Sequence, residues 1–80
     1  MIITIEGFGA VQQHLPEHLY YEFSVPTSVS DVLQYVVQQH PQTHTAIERC
    51  ACAIGEDIVL RDHILQHSCT LVLLSPVAGG

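Results

Sequence analysis

No lysine occurs in this sequence, and its only fixed cations are Arg49 and Arg61. Two arginines against eight carboxylates, for a formal net charge of −6, cannot line a groove with positive charge. Phosphate contacts supply most nucleic-acid affinity, so that class of partner is excluded. An acidic surface instead suits a basic protein partner, whose encounter it accelerates. The missing lysines have a second consequence: if the terminal carboxylate is activated as an acyl group, no side-chain amine of the same chain is there to capture it. Tryptophan is absent too, and no apolar run approaches the roughly 20 residues of a membrane span. Met1-Ile2-Ile3-Thr4-Ile5-Glu6 alternates like a strand with no basic region before it, so neither a signal peptide nor a membrane association is expected, and a cytoplasmic location is. Cys50, Cys52 and Cys69 are odd in number and show no disulfide-framework spacing, which fits a reducing compartment.

Catalytic groupings are equally scarce. Ser28 and Ser30 are explained by helix capping, and Asp31, Asp57 and Asp62 by helix starts and turns. No Ser-His-Asp or Cys-His grouping stands out, and no glycine-rich phosphate loop follows a strand. Six histidines form three pairs four residues apart, His14/His18, His40/His44 and His63/His67. Pro16 interrupts the first pair, Pro41 the second, and the third falls in an expected loop, so these read as solvated surface residues and no metal site is expected. Cys50 and Cys52 share one face of a strand and read as small apolar packing residues. The chain looks like something acted upon rather than something that acts.

What is present is a pattern for one small domain. Eighty residues, 48% hydrophobic, bury only about 60% of the unfolded-chain surface, enough for a two-layer core. Residues 2–8 read as a strand with Ile3 and Ile5 on one face. Residues 12–16 read as a loop, and 18–25, with Tyr20, Tyr21 and Phe23, as a second strand returning in a hairpin. Ser28 is a helix N-cap with Asp31 three positions on. Val29, Val32, Leu33, Val36 and His40 give one helical stripe, stopped by Pro41. After a polar connection at 42–46, with room for a short helical turn, come a strand at 50–54, a turn at 55–57, a short strand at 58–60, a loop at 62–68 and a final strand at 69–74. The fold expected is α+β, one main helix across a mixed sheet of about five strands, with the first and last strands central and parallel. Residues 1–75 form the domain and 76–80 its tail.

The tail is the most informative segment. Pro76-Val77-Ala78-Gly79-Gly80 follows the final strand directly. A bare diglycine is useful where a narrow partner site must reach the terminal carboxylate, since glycine has no side chain to exclude.

The element order, the size and this tail resemble the small subunit of molybdopterin synthase, a ubiquitin-like sulfur carrier of the β-grasp fold. Ala53-Ile54-Gly55, Ile58-Val59, Asp62-His63, Leu65 and the strand into Pro-Val-Ala-Gly-Gly fall at that family's usual distances from the end. The diglycine alone is shared with ubiquitin and the thiazole-pathway carrier; Pro76-Val77-Ala78 favours the molybdenum branch. The chain departs from the pattern at Gly55, at Ser68-Cys69, at Ser75 in place of a proline, and in the loop 8–16. β-Grasp ferredoxins share the element order but need four cluster cysteines, which three do not supply.

The resemblance implies that an ATP-dependent E1-like adenylyltransferase adenylates Gly80, that sulfur then gives a C-terminal thiocarboxylate, and that no cofactor is bound. It implies that the tail, Pro76 to Gly79, inserts into the molybdopterin synthase large subunit, in a heterotetramer, where Gly80 donates sulfur to cyclic pyranopterin monophosphate. The chain is thus not an enzyme alone. A partner interface is expected on the sheet face around Leu71 and Leu73, since a domain this small leaves part of its apolar sheet exposed. The rival readings are a carrier for thiazole or cysteine synthesis, a ubiquitin-like protein modifier, and an interaction module with an inert tail.

Overall fold

Parallel pairing between the two ends of the chain organises the molecule. In the computed structural model, which describes residues 1–76, β1 (Ile2–Phe8) and the last strand, Cys69–Leu74, run side by side from Ile3 opposite Cys69 to Phe8 opposite Leu74. Numbered along the chain, the other strands are β2 (Leu19–Glu22), β3 (Thr27–Ser28), β4 (Ala51–Ile54), β5 (Asp57–Val59) and β6 (Ile64–Leu65), so the last strand is β7. Five of them form a mixed sheet in the order β2-β1-β7-β4-β5, while β3 and β6 pair separately. This is the β-grasp arrangement.

The main helix, α1 (Val29–Gln39), starts where the sequence marks it: the Asp31 N–H donates to Ser28 Oγ at 3.0 Å. Val29, Val32, Leu33 and Val36 point its stripe into the core, against Ile3, Ile5, Cys52, Leu71 and Leu73 of the sheet. His40, expected to end that stripe, is instead the C-terminal cap; its ring Nε2 lies 3.1 Å from the Tyr21 hydroxyl.

Two connections hold more structure than expected. The polar connection folds as a 3-10 turn (Pro41–Thr43) and a second helix, α2 (His44–Arg49), which buries only Ile47. Arg61 holds its end, donating to the carbonyls of Ile47 at 2.7 Å and Cys50 at 3.0 Å, where a cation suits the negative end of the helix. The stretch 62–68 contains β6, and its neighbourhood supplies acceptors for the first turn of α1: Val29 N–H donates to the His63 carbonyl at 2.9 Å and Ser30 N–H to Arg61 at 2.8 Å.

The loop 9–16 is also ordered. Gly9–His14 forms a 3-10 turn that buries Val11 completely. The second strand is shorter than the 18–25 expected: Phe23 still exchanges backbone bonds with Met1, at 2.8 and 2.9 Å, and its ring packs edge-on against Tyr35, 5.6 Å away, as Tyr21 does at 4.8 Å. Among the described residues, no helix is long and apolar enough to cross a membrane.

Candidate functional site

Every residue expected to act lies on β7 or beyond it, so the site is built from that strand outward. Alternation places Leu71 and Leu73 on one face and Thr70, Val72 and Leu74 on the other. Leu71 and Leu73 are both 0% exposed, packed under α1. They therefore cannot form the partner interface expected for them: no surface of theirs is left to offer. Alternation reveals two faces but not which one the helix covers.

The uncovered face carries the apolar surface instead. Register aligns Glu6, Val72, Ala53 and Ile58 in one row across four strands, and Phe8, Leu74 and Ala51 in the next. Phe8 is 48% exposed and Ile58 64% exposed, and Val72 and Leu74 remain partly open. Apolar side chains contiguous on an open sheet, with the exposed Glu6 at one end of the row, form the kind of patch that marks a protein interface.

The tail begins at the edge of this patch. Ser75 N–H donates to the Phe8 carbonyl at 3.0 Å, extending the ladder one residue past β7. Ser75 Oγ accepts from the Val11 N–H at 2.8 Å. Pro76 follows, exposed. Val77, Ala78, Gly79 and Gly80, the rest of the expected tail, lie outside the described residues.

Nucleophiles near an activated terminus would be a hazard, and the thiols here are subdued. Cys50 and Cys52 are buried and Cys69 half-buried, with no disulfide among them. Burial pushes the Cys52 thiol up, against a lowering influence from Arg61, and burial likewise raises Cys69, so neither is poised as a thiolate. The histidine pairs stay apart: His44 meets Glu48 at 3.2 Å, His40 meets Tyr21, and among the described residues no three metal-ligating side chains converge.

Comparison with known proteins decides the family. A model of the ThiS family matches residues 8–80. This chain belongs to the ThiS family. No curated protein matches it. Among solved structures, it is similar to SAMP1 from Haloferax volcanii at a TM-score of 0.86 and 15% identity, covering 100% of both chains. It is similar to a proposed molybdopterin converting factor subunit 1 from Pyrococcus furiosus at a TM-score of 0.80 and 14% identity, over 95% of this chain and 98% of that one. Subunit 1 or 2 in a complex of the two subunits of the molybdopterin-converting factor from Helicobacter pylori 26695 gives a TM-score of 0.70 at 20% identity, covering 100% of both chains. These identities speak for the shared β-grasp fold.

Proposed function

We propose that this chain is the sulfur carrier of molybdenum cofactor biosynthesis, the small subunit of molybdopterin synthase. The observation that carries the reading is the family match, which runs through the diglycine to residue 80. The likeness to molybdopterin converting factor subunits and the Pro76-Val77-Ala78 lead-in support the molybdenum branch.

The carboxylate of Gly80 is a poor electrophile. Adenylation by an E1-like enzyme, using ATP, gives it a leaving group; the terminal sulfur of a cysteine-derived persulfide displaces AMP to form an acyl disulfide, and a thiol then reduces the S–S bond, releasing the thiocarboxylate and leaving a disulfide behind. Gly79 and Gly80 pass a tunnel too narrow for a Cβ. Pro76 limits the conformations lost on docking. The open sheet face around Val72, Leu74 and Phe8 seats the large subunit, while the tail reaches that subunit's active site and delivers sulfur to cyclic pyranopterin monophosphate; two transfers make the dithiolene. The chain has no lysine to trap the acyl-adenylate, and its thiols, two buried and one half-buried, compete poorly for it.

Reconstitution tests this: thiocarboxylated chain with the large subunit and cyclic pyranopterin monophosphate yields molybdopterin. Dithiolene formation at the background rate of the large subunit alone refutes it. A protein modifier is the second reading, favoured by the likeness to the Haloferax volcanii small archaeal modifier protein 1; covalent adducts of higher mass on target lysines in cells would select it.

A further inference from the structure

Ser75 stands where the resembling family carries a proline, and its hydroxyl is committed to two partners distant in sequence. The 3-10 turn Gly9–His14 begins after Phe8, which makes no side-chain capping bond, so the first N–H groups of the turn lack local acceptors. Ser75 Oγ supplies one to Val11, at 2.8 Å from 64 residues away. Val11 is 0% exposed, so water is a poor substitute there. On the other side, Cys50 Sγ lies 3.7 Å from Ser75 Oγ and 3.2 Å from the Ala46 carbonyl. With the thiol donating to Ala46, its sulfur accepts from the Ser75 hydroxyl, and the chain of bonds runs from the turn, through Ser75, to α2. Gly9 makes the approach possible. Its φ is +82°, and a Cβ built there would sit 2.9 Å from Ser75 Cβ.

We propose that Ser75 is a positioning residue for the tail, its hydroxyl clamping the tail's root to the Gly9–His14 turn and, through Cys50, to α2, so that Pro76 leaves the sheet at one fixed point and direction. The backbone bond from Ser75 to Phe8 holds the position along the strand; the hydroxyl holds the rotation. A residue before proline is confined to extended backbone, and Pro76 fixes its own φ, so orientation at Ser75 carries into the tail. The clamp matters for chemistry through the sulfur-carrier reading, on which this inference rests for its functional consequence.

Ser75→Ala and Cys50→Ala test it, with two readouts. In Ser75→Ala, exchange of the Val11 amide rises about tenfold, as expected for one lost buried hydrogen bond, while the Leu71 and Leu73 amides at the centre of β7 change less than twofold. The order parameter of the residue 75 N–H, which keeps its backbone bond to Phe8, falls measurably from the roughly 0.85 of rigid backbone. In the activation reaction with ATP, E1-like enzyme and sulfur donor, KM for Ser75→Ala rises about tenfold with kcat within twofold, the signature of a terminus less often presented correctly. Cys50→Ala, which keeps the hydroxyl and its Val11 bond, folds and shows a smaller rise in KM. An unchanged Ser75 order parameter in Ser75→Ala overturns the clamp, and so does an unchanged KM with the Val11 amide released. If Ser75→Ala does not fold, a Cys50→Ala chain with wild-type KM and wild-type Ser75 order parameter overturns it. A wild-type chain that gains no sulfur strikes the sulfur-carrier reading alone, and the amide measurements still decide whether the root is clamped.

Discussion

The two faces of β7 carry nearly the same chemistry and have opposite fates. Leu71 and Leu73 are sealed beneath α1, while Val72 and Leu74, one position on in each case, stay partly open on the face that carries the exposed Phe8 and Ile58. Hydrophobicity alone does not separate a core residue from an interface residue; the helix does, by covering one face. In a domain this small one helix layer covers one side of the sheet, and the other side is left open.

The sharpest way to break this comparison is to place the same charge on each face. Leu73→Asp puts a carboxylate in a dry core and is expected to cost more than about 4 kcal/mol, unfolding the domain at room temperature; thermal unfolding by circular dichroism reads it. Val72→Asp leaves the melting temperature within a few degrees and weakens capture of the large subunit at least about tenfold, as loss of a central interface anchor does, measured by calorimetric titration. If the two variants behave alike in both assays, the assignment of faces is wrong.

Smaller effects probe the supports of the covered face. Arg61→Met leaves the Ile47 and Cys50 carbonyls short of a donor and is expected to cost about 1–3 kcal/mol in urea unfolding, with amide exchange in α2 accelerated first. Smallest is His18→Gly. His18 enters β2 with a φ of 57°, a conformation that costs residues other than glycine. Relief of that strain, partly offset by glycine's greater freedom when unfolded, is expected to add about 0.5 kcal/mol and leave partner binding unchanged.

The parts of the fold legible in the sequence are those with a period. β1 and β7 have the bounds their alternation predicts, 2–8 and 69–74, and they pair in parallel at the centre as expected. Ser28 caps α1, and Pro41 ends it. The elements missed, or foreseen as no more than a turn, are too short to show a period. α2 spans six residues with one buried side chain, and β6 has two residues, paired with two of β3. Val11 looked like part of a loop because its burial depends on the close approach of Gly9 to Ser75, a contact between opposite ends of the chain. The same holds for the site. The tail declared itself by composition, but its root did not. Nor did Ser68, another departure from the family pattern, whose hydroxyl accepts from the Ile2 N–H at 2.8 Å. Both serines tie an end of β7 to the first hairpin through side chains, which no local pattern encodes.

The central claim is that the body of this domain exists to present one carboxylate, and intact-mass spectrometry tests it most directly. After incubation with ATP, an E1-like adenylyltransferase, a persulfide sulfur donor and a thiol reductant, the full chain is predicted to gain the mass difference between one sulfur and one oxygen, and a chain lacking Gly80 is predicted to gain nothing. A full chain that stays at its original mass, or a gain that survives removal of Gly80, would contradict the account.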